Sequence, residues 1–89
     1  MLRLITTKQF ERDIRLSIKR GKNLDKLKEV MRLLLNEEKL LPKYRDHNLT
    51  GNYAHRRECH LEPDWLLIYK LESDAIIFER TGTHSDLFR

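Results

Sequence analysis

Residues 58–69 read ECHLEPDWLLIY, a polar run that breaks at a proline and passes straight into apolar chain. Pro63 and Asp64 in the EPD link are turn chemistry, because proline presets φ and an aspartate carboxylate bonds nearby backbone N–H groups. The link has hairpin length, so antiparallel strands are expected on either side of it. The second strand, Trp65–Leu71 (WLLIYKL), is apolar on both faces, the pattern of a central strand. An ESD turn at 72–74 then leads to a third strand over Ala75–Thr81, and the strand before the proline is expected over Ala54–Leu61. The C-terminal half is therefore an antiparallel meander.

The N-terminal half has a different period. LRLI at 2–5 predicts a short strand. From Lys8 to Arg20 apolar side chains recur at Phe10, Ile14, Leu16 and Ile18, with Thr6 or Thr7 as a cap and Gly21 as the stop, so a helix is expected. Asn23 can cap a second helix with Leu24, Leu27, Val30, Met31, Leu34 and Leu35 on its apolar stripe. The link between the two permits only an antiparallel pair. Residues 37–52, with Pro42 and Gly51, form a long connection with room for a short strand at 48–50. The final THSDLF can form one helical turn capped by Thr83. The expected class is α+β, with two N-terminal antiparallel helices packed on one face of a mostly antiparallel four- to five-stranded sheet. The other face is left at least partly open, and function is expected there.

Eighty-nine residues, 39% hydrophobic and 36% charged, support a single domain over 1–89 around one core. No stretch approaches the roughly 18 apolar residues of a membrane span, the opening MLRLITT does not read as a signal sequence, and Cys59 is the only cysteine, so a cytoplasmic protein is expected. Net charge is +4 but uneven: residues 1–46 carry thirteen Lys and Arg against seven Asp and Glu, and residues 47–89 carry five against seven. A basic front half suits a polyanionic partner, although ordinary solvated helices carry such surpluses too.

All four histidines lie in the acidic half. Alternation along 54–61 puts Arg56, Glu58 and His60 on one face and His55, Arg57, Cys59 and Leu61 on the other, which looks inward. The Glu62-Pro63-Asp64 turn returns Asp64 to the strand end holding His60. Arg80, His84 and His47 are the expected neighbours. Such a set suits RNA cleavage by the 2′-hydroxyl, which needs a base, a cation for the phosphorane charge and an acid for the leaving 5′-oxygen. No metal or other cofactor is needed. Tyr53, Trp65 and Phe88 can stack on a base or pack the floor. Each residue also has a structural reading: Asp64 as a turn residue, Trp65 as core, Arg80 as a surface ion pair and His55 as solvated. A zinc site from His47, Cys59, His60 and His84 matches no standard ligand spacing, and Cys59 and His60 face opposite ways.

Three blocks then carry a resemblance over essentially the whole chain. YRDHNLTG (44–51), RECHLEPDWLLIYK (57–70) and FERTGTHSDLF (78–88) resemble, in order and separation, the motifs of the YafQ branch of the RelE/ParE toxin superfamily, the toxin halves of bacterial toxin–antitoxin pairs. The resemblance implies a RelE fold and a ribosome-dependent endoribonuclease acting on messenger RNA. It also implies an antitoxin partner, with the toxin monomeric outside that complex. Family functional positions fall on His47, His60, Asp64, Arg80, His84 and Phe88, with Trp65 and Glu58 in support. Lys8, Arg12, Arg15, Lys19, Arg20, Lys22, Lys26 and Lys28 are then expected to meet ribosomal RNA phosphates. Asn48, Glu58 and Arg45 stand where the family shows proline, aspartate and lysine. Two competing readings keep the fold: a ParE-like toxin that inhibits a protein such as DNA gyrase, and a non-catalytic RNA-binding module.

Overall fold

The computed structural model describes residues 1–88, in the order β1 (Arg3–Thr6), α1 (Lys8–Lys19), α2 (Leu24–Leu35), β2 (His47–Asn48), β3 (Arg57–Glu62), β4 (Trp65–Leu71), β5 (Ala75–Gly82) and α3 (His84–Leu87). Short 3₁₀ turns at Pro42–Tyr44 and Gly51–Tyr53 punctuate the long connection. The sheet runs β1-β5-β4-β3-β2, with β1 parallel to β5 and the remaining pairs antiparallel. As expected from its double-sided hydrophobicity, β4 is central, and Trp65 through Tyr69 are all buried.

Alternation on the meander builds two different faces. Cys59, Leu61, Trp65, Leu67, Tyr69, Ile76 and Phe78 meet Phe10 of α1 and Leu27, Val30 and Leu34 of α2 in the main core. Each large side chain fully buried in it contributes about 1.5–3 kcal/mol. Leu66 and Ile68 point the other way and are fully buried beneath Leu87, Tyr53 and Leu49. The second face is thus closed at its centre by α3 and the 49–53 segment, and open beside them.

Local detail departs from the sequence-based expectation, or completes it, at three places. Leu16 and Ile18 are 40% and 55% exposed, and the buried stripe of α1 is Phe10, Asp13 and Ser17, so the helix turns partly polar groups inward. Of the two threonines offered as a cap for α1, Thr7 is the one used, accepting from the Phe10 N–H. The strand expected from Ala54 starts at Arg57, because a 3₁₀ turn and a left-handed His55 (φ 70°) precede it, and β2 lies at 47–48 rather than 48–50.

Strand β1 ends opposite Phe78, leaving the last half of β5 without a strand neighbour on that edge. Side chains of the first helix take its place. Thr7 Oγ1 donates to the Glu79 carbonyl, and Asp13 Oδ2 accepts from the Thr81 N–H at 3.0 Å. Backbone groups that would otherwise be orphaned are satisfied, which favours a unique seating of α1.

Candidate active site

The site starts with the alternation of β3. Arg57, Cys59 and Leu61 face the helices, so Glu58 and His60 stand on the second face, opposite Ile68 and Leu66. Glu58 is only 4% exposed, and its Oε1 lies 3.1 Å from His60 Nε2 and 3.5 Å from His47 Nε2. One buried carboxylate thus serves two imidazoles. His47 is fixed from behind as well, its Nδ1 lying 2.6 Å from the Arg45 carbonyl. Its loop is anchored by Asp46, which accepts from the Tyr69 hydroxyl and from the Arg57 guanidinium. Tyr69 titrates above the ordinary phenol range, through burial first and the Asp46 bond second.

The second half of the site comes from two turns. Asp64, at the β3–β4 hairpin, accepts from both the backbone N–H (2.9 Å) and the ring Nδ1 (2.6 Å) of His84. Those bonds, the backbone one foremost, hold its carboxyl below the usual aspartate range. The ring of His84 is oriented with Nε2 outward. Helix α3 is short, but Thr83 and Asp86 form a capping box, and Arg20 clamps Asp86 at 2.7 Å. Arg20 and the Thr83 N–H push the Asp86 carboxyl well below its ordinary value. Gly82 is needed at this corner because a Cβ there would lie 2.8 Å from Asp86 Oδ2.

Together these elements make a continuous row. Ring centroids lie 6.2 Å apart for His47 and His60 and 5.8 Å apart for His60 and His84. Phe88 continues it 6.4 Å beyond His84, and Tyr53 meets Phe88 edge-on at 5.4 Å. Phe88 is 42% exposed at the end of the row, an aromatic surface on which a base can stack.

Arg80 reaches this face through a bulge. Phe78 faces the helices opposite Tyr69, yet Arg80 pairs with Ile68 on the second face, because Glu79 is the extra residue. Simple alternation would have sent Arg80 to the helix side. Bulges commonly re-aim a side chain beside an active site. Asp13, 6% exposed on α1, then grips Arg80 through Nε (2.8 Å) and Nη2 (3.2 Å), and Tyr53 is a further polar neighbour of the guanidinium. Asp13 was not singled out in the sequence; its only signal is its place on the buried stripe of α1.

Other expectations fare differently. Trp65 is 1% exposed and packs in the helix-side core, so it is not a substrate-contacting surface. Arg56 has both Glu79 oxygens 3.1 Å from its Nε and donates Nη1 to the Ala54 carbonyl, which commits it to the fold. Of the eight basic residues assigned to RNA phosphates, Arg20 is bound to Asp86, and Lys22 and Lys26 are bound to Glu62. Lys8, Arg12, Arg15, Lys19 and Lys28 are exposed with no ion pair among the described residues. Cys59 lies on the opposite face from His60, and burial raises its thiol above the ordinary range, so the two cannot share an ion. Among the described residues no group of three His, Cys, Asp or Glu side chains could hold a metal, and no helix is long and apolar enough to cross a membrane.

A five-stranded sheet backed by two helices carries this imidazole row on its other face. Residues 2–89 match the family described as bacterial toxin of type II toxin-antitoxin system, YafQ. The mRNA interferase toxin YafQ of Escherichia coli strain K12 is 49% identical over 81 residues, covering 90% of this chain and 88% of that protein. YafQ from E. coli strain BL21(DE3) has a crystal structure that matches with a TM-score of 0.96 at 42% identity, covering 100% of both chains. The toxin in the E. coli DinJ–YafQ complex matches with a TM-score of 0.94 at 43% identity, again over 100% of both chains. The chain belongs to the YafQ family of toxins.

Proposed function

We propose that this chain is an endoribonuclease that cleaves messenger RNA on the ribosome by attack of the RNA's own 2′-hydroxyl, and that an antitoxin holds it inactive. The observation that carries the reading is the row of His47, His60 and His84, tied by Glu58 and Asp64 and centred 5.8–6.2 Å apart on one face. The naming of the E. coli relative as an mRNA interferase and its complex with DinJ support the substrate and the partner.

His60 donates Nε2–H to Glu58, which leaves Nδ1 as the acceptor for the 2′-hydroxyl proton. The freed oxygen attacks phosphorus, and the P–O5′ bond breaks. His84, its Nδ1–H held by Asp64, gives the Nε2 proton to the departing O5′, leaving a 2′,3′-cyclic phosphate and a 5′-hydroxyl. Asp64 is itself a poorer base, because its low-lying carboxyl is already committed to two donors of His84. The Arg80 guanidinium, held by Asp13, meets the non-bridging oxygens as charge builds on them, and His47 orients Glu58 and the substrate. Exposed Lys8, Arg12, Arg15, Lys19 and Lys28 serve the longer-range attraction to ribosomal RNA.

The test is expression in growing cells with mapping of 5′ ends on translated transcripts. Discrete new ends are expected with the natural chain and none with His84→Ala. Growth arrest that persists in both His84→Ala and His60→Ala without new ends would point to a protein target instead.

A further inference from the structure

One hollow in the molecule shares a wall with the catalytic row. It lies between the first turn of α2 (Asn23, Lys26), the Pro42–Tyr44 turn and the Glu62–Pro63 corner, with His60 in its wall, and measures about 660 Å³. That is within the range of roughly 300–1,000 Å³ usual for small-molecule sites and ample for a nucleotide. Among its carboxylates, Glu62 is neutralised by Lys22 and Lys26 and Glu29 by Arg32, while Asp25, on the α2 side, has no ion pair among the described residues. Lys43 and Arg45, on the opposite rim, have no ion-pair partner among the described residues. Lys43 Nζ instead stands 5.2 Å from the centroid of the Tyr44 ring.

Arg45 carries a second, independent mark. It is left-handed (φ 49°, ψ 43°), its N–H donates to the Pro42 carbonyl at 3.0 Å, and its own carbonyl holds His47 Nδ1. A non-glycine residue in this region is strained unless its surroundings impose the conformation, and such strain gathers at ligand clamps. Here the strained backbone fixes His47 while the same residue lines the cleft, so Arg45 joins the row to the hollow.

We infer that this cleft is an RNA subsite that seats a nucleotide flanking the scissile phosphate, with Lys43 and Arg45 on that nucleotide's phosphate. A chain whose reacting phosphate lies between His60 and His84 must leave the row on one side, and the cleft beginning at His60 offers it the unpaired cations of Lys43 and Arg45 along one rim. The inference rests on the endoribonuclease reading above. It adds a residue set outside the imidazole row that governs substrate grip.

The experiment is single-turnover cleavage of translated transcripts that differ only in the nucleotides flanking the cut, using purified full chain. The natural chain is compared with Lys43→Ala/Arg45→Asn, asparagine being tolerant of the left-handed backbone, and with Lys39→Ala/Lys70→Ala as a charge-matched control. The toxin concentration for half-maximal rate is expected to rise about tenfold or more in the first variant, with its salt slope lowered by about 0.7 per lost contact. The loss should be about equal for every flanking base, because a phosphate contact carries no sequence information, while the saturated rate holds, and the control should match the natural chain. An unchanged half-saturation would overturn the subsite. So would a fallen saturated rate with unchanged half-saturation, which would assign Arg45 only to the support of His47. Unchanged RNA parameters with weakened antitoxin binding would give the cleft to the antitoxin and equally overturn it. Absence of cleavage by the natural chain would instead strike the endoribonuclease reading.

Discussion

The molecule holds two imidazole–carboxylate pairs within one row, and they are built in opposite ways. His60 sits on Glu58, a carboxylate 4% exposed in the middle of a strand and shared with His47. His84 sits on Asp64, a half-exposed pair whose partners lie on two separate turns, with side chains 53% and 65% accessible. The first pair is fixed by the sheet itself, since Glu58 and His60 are two residues apart on a strand locked to Ile68 and Leu66. The second depends on α3 folding back over the sheet. A base that must meet the 2′-hydroxyl in one geometry gains from the rigid mount. An acid that must deliver its proton and recover it from solvent gains from the accessible one.

Breaking the exposed pair at its acid should have the largest effect. His84→Ala is expected to lower single-turnover cleavage about 10²- to 10⁴-fold with the circular dichroism spectrum unchanged. Glu58→Gln loosens two rings at once, and a loss on the order of 10² is expected, because an amide in place of the carboxylate disturbs the ring tautomer. Asp64→Asn should cost less, about tenfold, since the amide oxygen can still accept from the His84 N–H. A larger loss from Asp64→Asn than from Glu58→Gln would invert the comparison.

Stability sharpens it further. Asp86→Asn removes the Arg20 clamp and half of the capping box, and the melting temperature is expected to fall about 4–8 °C for a cap worth about 1 kcal/mol. The sign with pH follows from the lowered carboxyl of Asp86. Its stabilisation is fully present above the ordinary aspartate value of about 3.9 and is lost as pH falls through the lowered one. A melting curve taken from pH 7 downward should therefore decline less steeply below about pH 4 in Asp86→Asn than in the natural chain. The smallest effect belongs to Arg56→Ala. Its guanidinium is occupied by Glu79 and Ala54, so cleavage should stay within about twofold and stability within about 1 kcal/mol.

What could be read in the sequence follows from period and turn chemistry. Residues 65–71 announced the central strand, and the EPD and ESD links announced the meander. Glu58 and His60 were assigned to one face because a period of two has no ambiguity over three residues. Limits appear where a single residue departs from the period. His55 in a left-handed conformation moved the start of β3, and the extra Glu79 turned Arg80 onto the catalytic face, where its expected role required it to be. The apolar recurrence that signalled α1 included Leu16 and Ile18, yet both are exposed and the helix buries Asp13 and Ser17. A buried acid is legible only through its partners, and those of Asp13 lie 67 and 68 residues away at Arg80 and Thr81. Trp65 was assigned to the substrate through its place in a motif, although the alternation of its strand turns it into the helix-side core.

The division of labour between the two pairs can be tested by changing the leaving atom. A transcript with sulfur replacing the bridging 5′-oxygen at the cut carries a leaving group that departs without a proton. On this substrate His84→Ala should cleave at nearly the natural rate, while His60→Ala should remain as slow as on the oxygen substrate. Equal defects of His84→Ala on both substrates would contradict the assignment of His84 as the acid and, with it, the account of the row.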